Sequence, residues 1–490
     1  MIIDDTPASP KKTQQRLSEA SPQYDVEHAP PPAYPGPQSD WARAVASYGI
    51  HAGPRSLLLP LREETKKGEP AERRFIKAFL VAFSIWAVLA FLASITVDSA
   101  FRKSRHPRWR SIPEEEDDRL GWPLASDGRI IRCVSGYPEW SQHGLPDPTT
   151  SFELPLSLDA LYLFSRGTLS RGTVHFVQDS QWPPRDSARV EVSLLHSTTA
   201  DLEVASVCLM EREEGQRGIA LLTPMKWRTS PSARFRFEVT VLMPATSTEY
   251  PLNVSAFETD LPMFSHYVDE LPSELLFRTL SLRSKDARIH VQSVHAERAE
   301  LRTTNGAIEG EFHTSDTLTL TTSNAHIRAD VYLYHDDLNE SSTKVNMHTS
   351  NAAIISSVNL ISTSPSHPSI GGSFEVSSET SNGPLSLTFP FSASSSRLDA
   401  IARTSNAHIS ATVNPAYEGS FEVRTSNAKP AVFYDGRVED PSGRGRRRYM
   451  TESQVGKTMV GEVSWGRPES GVHVGSVSLR TSNAPAVLSL

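Results

Sequence analysis

Between residues 280 and 490, apolar and polar positions alternate in short runs that break repeatedly at the same four letters, Thr-Ser-Asn-Ala. The word stands at 322–325, 349–352, 404–407, 425–428 and 481–484, with close variants at 303–306 and 380–383. Aligned on the third letter, and counting a degenerate first copy, the repeats place Asp286, Asn305, Asn324, Asn351, Asn382, Asn406, Asn427 and Asn483 in one register. Four positions earlier stand Leu282, Leu301, Leu320, Met347, Ser378, Ala402, Val423 and Leu479. Three positions later stand Ile289, Ile308, Ile327, Ile354, Leu385, Ile409, Pro430 and Ala486. Side chains alternate across a strand, so both columns are predicted to point inward.

Each copy therefore reads strand, corner, strand. In this reading Thr ends a strand because it is β-branched. Asn accepts a left-handed or bent backbone and bonds main chain that the corner leaves unpaired, and the Ala or Gly after it fits the inside of the bend. Asn side chains stacked ~4.8 Å apart can also bond one another as a ladder. Taken in chain order, the copies are 19, 19, 27, 31, 24, 21 and 56 residues apart. Units this short cannot fold alone, and they predict a repetitive, β-helix-like solenoid over 273–490.

Upstream, "ARVEVSLL" (188–195), "ADLEVASVCLM" (200–210) and "ARFRFEVTVLMP" (233–244) also alternate, which predicts a β-rich lobe over 121–272. The corners "TSNA-x-I" and "TTNGAIEG", preceded by a β lobe ending in "FEVTVLMP", resemble the putative-adhesin β-solenoid family of unknown function. That family is known from bacteria, where the corner usually reads T-S-N-G-D-I, and from fungal single-pass membrane proteins. The resemblance covers about 185–490 and implies a right-handed β-solenoid with a surface-associated role rather than a reaction. The chain departs from the bacterial pattern by using Ala where those repeats use Gly and by its last, long gap.

The pattern changes character once. Ala78 to Val97 runs without a charge or a proline and is apolar all round, so a transmembrane helix is expected over 75–97. It begins too far along the chain for a cleavable signal peptide. Lys and Arg nearly tie across it, six before and five after, and do not orient it. Residues 1–74 read as a disordered tail, since residues 1–70 hold eleven of the 35 prolines and little apolar periodicity. Within the tail, Pro31-Pro32-Ala33-Tyr34 is similar to a polyproline II ligand of WW domains. A WW-domain partner would make the tail cytosolic and everything after Val97 translocated. The 98–120 segment reads as a charged linker.

Composition adds little to this picture. A net charge of −8 gives no bias toward nucleic acid, and no nucleic-acid partner is expected. Two cysteines, Cys133 and Cys208, exclude a four-cysteine zinc site but leave open one disulfide or two free thiols. Asn253 and Asn339 lie in N-glycosylation triplets.

Catalytic chemistry is weakly represented. The chain lacks G-x-S-x-G, a Gly-rich phosphate loop and H-E-x-x-H, so no catalytic residue, cofactor or metal site is assigned. His326 and His408 face outward three rungs apart, ~14 Å, too far to share an ion, and read as solvated. "YHDDLNE" (334–340) gathers Asp336, Asp337 and Glu340, the one cluster that would suit a carbohydrate-active hydrolase or lyase on a β-helix. Arg283, Arg302, Arg403, Arg424 and Arg480 each precede a corner Asn by three positions, forming a candidate basic stripe for an acidic glycan or phosphate-rich surface. Their competing role is to cover apolar strand edges. "GRGRRRY" (443–449) falls in the long gap and is expected in an exposed loop, similar to a dibasic processing site in a translocated domain. The expected function is binding or adhesion of a glycan or protein by a translocated, membrane-anchored solenoid. The alternatives are a carbohydrate-active enzyme and a tethered scaffold facing the cytosol.

Overall fold

The computed structural model describes residues 123–140, 148–179, 186–196, 198–225, 235–336, 341–363, 371–466 and 475–490. The expected tail (1–74), membrane span (75–97) and linker (98–120), with Pro31, Pro32 and Tyr34, lie outside the described residues, as do Asp337, Asn339 and Glu340. Among the described residues no helix is long and apolar enough to cross a membrane.

What is described is mainly β and repetitive: twenty-six strands among the described residues, with three helical segments of one turn each. The strands form two faces. On one face Leu252–Asp260 pairs in parallel with Leu275–Arg283, and that strand with the second half of Ile289–Arg302. The face continues through the end of Ile308–Thr321 to Thr343–His348, Ser373–Glu379 and Arg397–Arg403, all parallel. On the other face Phe264–Glu270 pairs with the start of Ile289–Arg302. Ile308–Thr321, Ile327–His335, Ile354–Ser362, Leu385–Thr388 and Ile409–Thr412 follow in parallel. Ile289–Arg302 and Ile308–Thr321, fourteen residues each, belong to both faces.

Both predicted inward columns are buried. Ile289, Ile308, Ile327, Ile354, Leu385, Ile409 and Ala486 are wholly enclosed on one face, opposite Leu282, Leu301, Leu320, Met347, Ala402, Val423 and Leu479 of the other. A fully buried Leu or Ile contributes about 1.5–3 kcal/mol, so the columns hold the stack together.

The core does not break at 272/273. One hydrophobic cluster runs from Val134 to Leu490, and strands on either side of that boundary pair directly. The upstream region differs by mixing antiparallel pairs, such as Arg129–Ser135 with Ser206–Glu211, into the same faces. A disulfide between Cys133 and Cys208, opposite one another on these two strands, closes the question the sequence left open.

At the far end the stacking departs from chain order. Gly475–Arg480 lies between Arg397–Arg403 and Gly419–Arg424, parallel to both. On the other face Ala486–Ser489 lies between Ile409–Thr412 and Pro430–Phe433. The last rung in sequence is therefore inserted under the previous one. The long gap accommodates an antiparallel hairpin, Arg448–Val455 with Thr458–Trp465, which covers the edge of Gly419–Arg424. Covering an open parallel edge removes a template for aggregation.

Candidate functional site

The corner word divides its work among its letters. The Asn side chains form one continuous ladder. Asn324 donates to Asn305 at 2.7 Å, Asn351 to Asn324 at 2.7 Å, Asn382 to Asn351 at 2.8 Å and Asn406 to Asn382 at 2.7 Å. Asn305 donates to Asp286 at 2.5 Å, which starts the ladder. Asn483 then donates to Asn406 at 2.6 Å and Asn427 to Asn483 at 2.7 Å, so the ladder follows the inserted rung rather than the sequence.

None of these Asn residues adopts the left-handed backbone: Ser395 is the one non-glycine with positive φ among the described residues. Their side chains bond one another, and the main chain is served by Thr instead. Thr322, Thr349 and Thr481 donate from Oγ1 to the carbonyls of Gly306, Ala325 and Ala407, each at 3.0 Å, on the neighbouring rung. β-Branching alone gives no sign of this second role of Thr. Gly is also more than a small corner residue at two sites. A Cβ on Gly306 or Gly383 would stand 1.9 or 1.8 Å from the carbonyl oxygen of Ala287 or Ala352.

The Ser hydroxyls are left without partners. Backbone bonds stack the four serines in the order Ser381, Ser405, Ser482, Ser426, with N–H to carbonyl distances of 3.1 to 3.3 Å. No side-chain bond engages these hydroxyls among the described residues. Beside them the inserted rung sets Arg480 directly opposite both Arg403 and Arg424. Arg480 is held by Glu422 at 2.7 Å. Arg403 and Arg424 are exposed and make no ion pair among the described residues. A cleft of about 350 Å³ opens here, lined by the three arginines, the four serines and one carboxylate, Glu379.

The expected stripe of five arginines is thus two groups. Arg283 and Arg302 face each other across neighbouring strands, with Arg283 bound to Glu300 at 2.7 Å. Thr321, His348 and Glu379 then interrupt the column before Arg403. The sequence could not place Arg480 between Arg403 and Arg424, because nothing in the spacing signals insertion.

Other candidates settle differently. His326 hydrogen-bonds the Glu309 carboxylate at 2.7 Å, so it is exposed but not without a protein partner, and the bond holds the Glu309 carboxyl below its usual range. The basic run at 443–449 begins as the exposed loop expected, at Gly443, Arg444 and Gly445, and is tied down beyond it at Arg446 and Arg448. Arg446 is bound by Asp440 at 3.1 Å and Glu418 at 3.3 Å, and Arg448 is buried against the rings of Tyr434 and Trp465. Burial pulls the Arg448 guanidinium pKa down. Asn253 is exposed at the start of its strand. Asp336 is described, while its acidic neighbours are not. Among the described residues no three His, Cys, Asp or Glu side chains come together as a metal site.

Neither family models nor curated proteins yield a match to the chain. The solved structure of a "putative cell adhesion protein" from Clostridium sporogenes is similar over 70% of this chain and 100% of its own, at 7% identity and a TM-score of 0.17. A likeness that slight carries no argument for fold or function.

Proposed function

We propose that the chain is a single-pass membrane protein whose translocated, adhesin-like β-solenoid serves binding at a membrane or cell surface and catalyses no reaction. The observation that carries this reading is the division of labour in the corner. Thr and Asn tie rung to rung, while Ser and the preceding Arg face solvent without partners at Arg403 and Arg424. A surface that repeats polar groups at a fixed rise is suited to an extended ligand.

Two further observations support translocation. The Cys133–Cys208 disulfide is at home in an oxidising compartment, and Asn253 is exposed in a glycosylation triplet. Translocation of this region leaves residues 1–74 in the cytosol, where the Pro31-Pro32-Ala33-Tyr34 run meets WW-domain proteins. The test is endoglycosidase digestion of the full chain from cells. The reading expects a mobility shift that Asn253→Gln reduces. An unshifted chain, with residues 1–74 protected from protease added on the cytosolic side, would overturn it in favour of a scaffold facing the cytosol.

A further inference from the structure

We infer that the cleft at Arg403, Arg480 and Arg424 binds a linear acidic glycan whose disaccharide repeat carries a carboxylate or sulfate. The geometry is specific. Arg403 and Arg424 both stand in register with Arg480, one on either side, so the two arginines without ion pairs are rooted two rungs apart, or ~10 Å. That separation is about the length of one extended disaccharide, so successive anionic groups of an alternating polymer meet successive free arginines. Each guanidinium can grip a carboxylate or sulfate with two parallel N–H bonds.

The middle arginine has a different part. Arg480 is already neutralised by Glu422, so the site carries charge at every second rung rather than at each one. Between the charges, the hydroxyls of Ser405 and Ser482 have no protein partner and face the same cleft. Hydroxyls donate and accept, which suits the uncharged sugar edges. Glu379 borders the cleft opposite Arg403 and closes it to a further anion on that side. Insertion of the 475–490 rung is what builds the site, because without it chain order would set Arg403 and Arg424 one rung, ~4.8 Å, apart, too close for successive anions of a disaccharide repeat.

The inference rests on the translocated reading, since that is where such glycans are met. It is tested with the full chain in detergent micelles and a heparin-derived hexasaccharide, by calorimetry. Binding is expected to be saturable, absent for chitohexaose, and weakened about tenfold or more by Arg403→Ala or Arg424→Ala. Arg302→Ala, outside the cleft, should leave it unchanged, and Ser405→Ala with Ser482→Ala should weaken it several-fold. Equal binding by wild type and the Arg403→Ala, Arg424→Ala pair, with unchanged circular dichroism, would overturn the inference. So would equal occupation by inorganic phosphate or by phosphatidylserine vesicles, which would make the cleft a phosphate or lipid site. None of these results alters the glycosylation shift, so failure here is distinct from failure of the topology.

Discussion

Asn483 and Asn406 are 77 residues apart in the chain and share a side-chain hydrogen bond of 2.6 Å, with Asn427 bonded to the far side of Asn483. Chain order and rung order therefore disagree at one end of the stack. The Asn406 rung meets a neighbour that is synthesised after the rung that finally covers both.

The ladder itself should be measurable. Asn351 donates to Asn324 and accepts from Asn382, whereas Asn427 at the end makes one bond within the ladder. Asn351→Ala is expected to cost about 1–2 kcal/mol and Asn427→Ala about half as much, since each net hydrogen bond contributes ~1 kcal/mol. Urea denaturation of the two variants provides the comparison. Equal losses, or none, would mean that the ladder reports the stacking without contributing to it.

The inward and outward columns predict opposite sensitivities. Ile409→Asp places a charge in a wholly buried column between Leu385 and Ala486, at a cost of several kcal/mol. His326→Ala removes one exposed hydrogen bond to Glu309, worth about 0–1 kcal/mol. Thermal melts followed by circular dichroism should show the first unfolded and the second near wild type.

These columns were legible in the sequence because side-chain direction along a strand has a period of two, and the corner word marks the phase of every rung. The jobs of the letters were legible only in part. That Asn can ladder follows from its chemistry, but that Thr bonds the carbonyl of Ala325 or Ala407 depends on which rung lies beneath. Rung order was not legible at all beyond Asn406. Parallel in-register pairing is equally satisfied by any copy of the repeat, so Asn483 and Asn427 compete on equal local terms for the same edge. The three-arginine cleft, which depends on that outcome, was hidden with it.

Acid should destabilise the stack through histidines whose pKa burial depresses, His266 and His295, of which His266 is the wholly buried one. Its Nδ1 bonds the Phe264 carbonyl at 3.2 Å and its Nε2 meets the Thr259 hydroxyl at 2.8 Å. Burial lowers its pKa from 6.5 to about 4. The unfolded chain thus takes up the proton first, so this contribution is complete above pH 6.5 and is lost as pH falls toward 4, by roughly 3 kcal/mol. Denaturation midpoints between pH 4 and pH 7 should rise with pH, and His266→Gln should flatten the slope. A wild-type slope of the opposite sign, or one unchanged in the variant, would rule out His266 as its source.

The rung order is the central claim, and paired cysteines read it directly. Ser410 and Val487 are strand partners, and Val487 in turn faces Ala431. Neighbouring rungs stand ~4.8 Å apart, within disulfide reach, while two rungs span ~10 Å and exceed it. With Cys133 and Cys208 left in place, the variant Ser410→Cys with Val487→Cys is expected to oxidise to a cross-link seen by peptide mass spectrometry. Ser410→Cys with Ala431→Cys, the pair that chain order would bring together, should stay reduced. A cross-link in the second pair and none in the first would contradict the inserted rung, and with it the site formed by Arg403, Arg480 and Arg424.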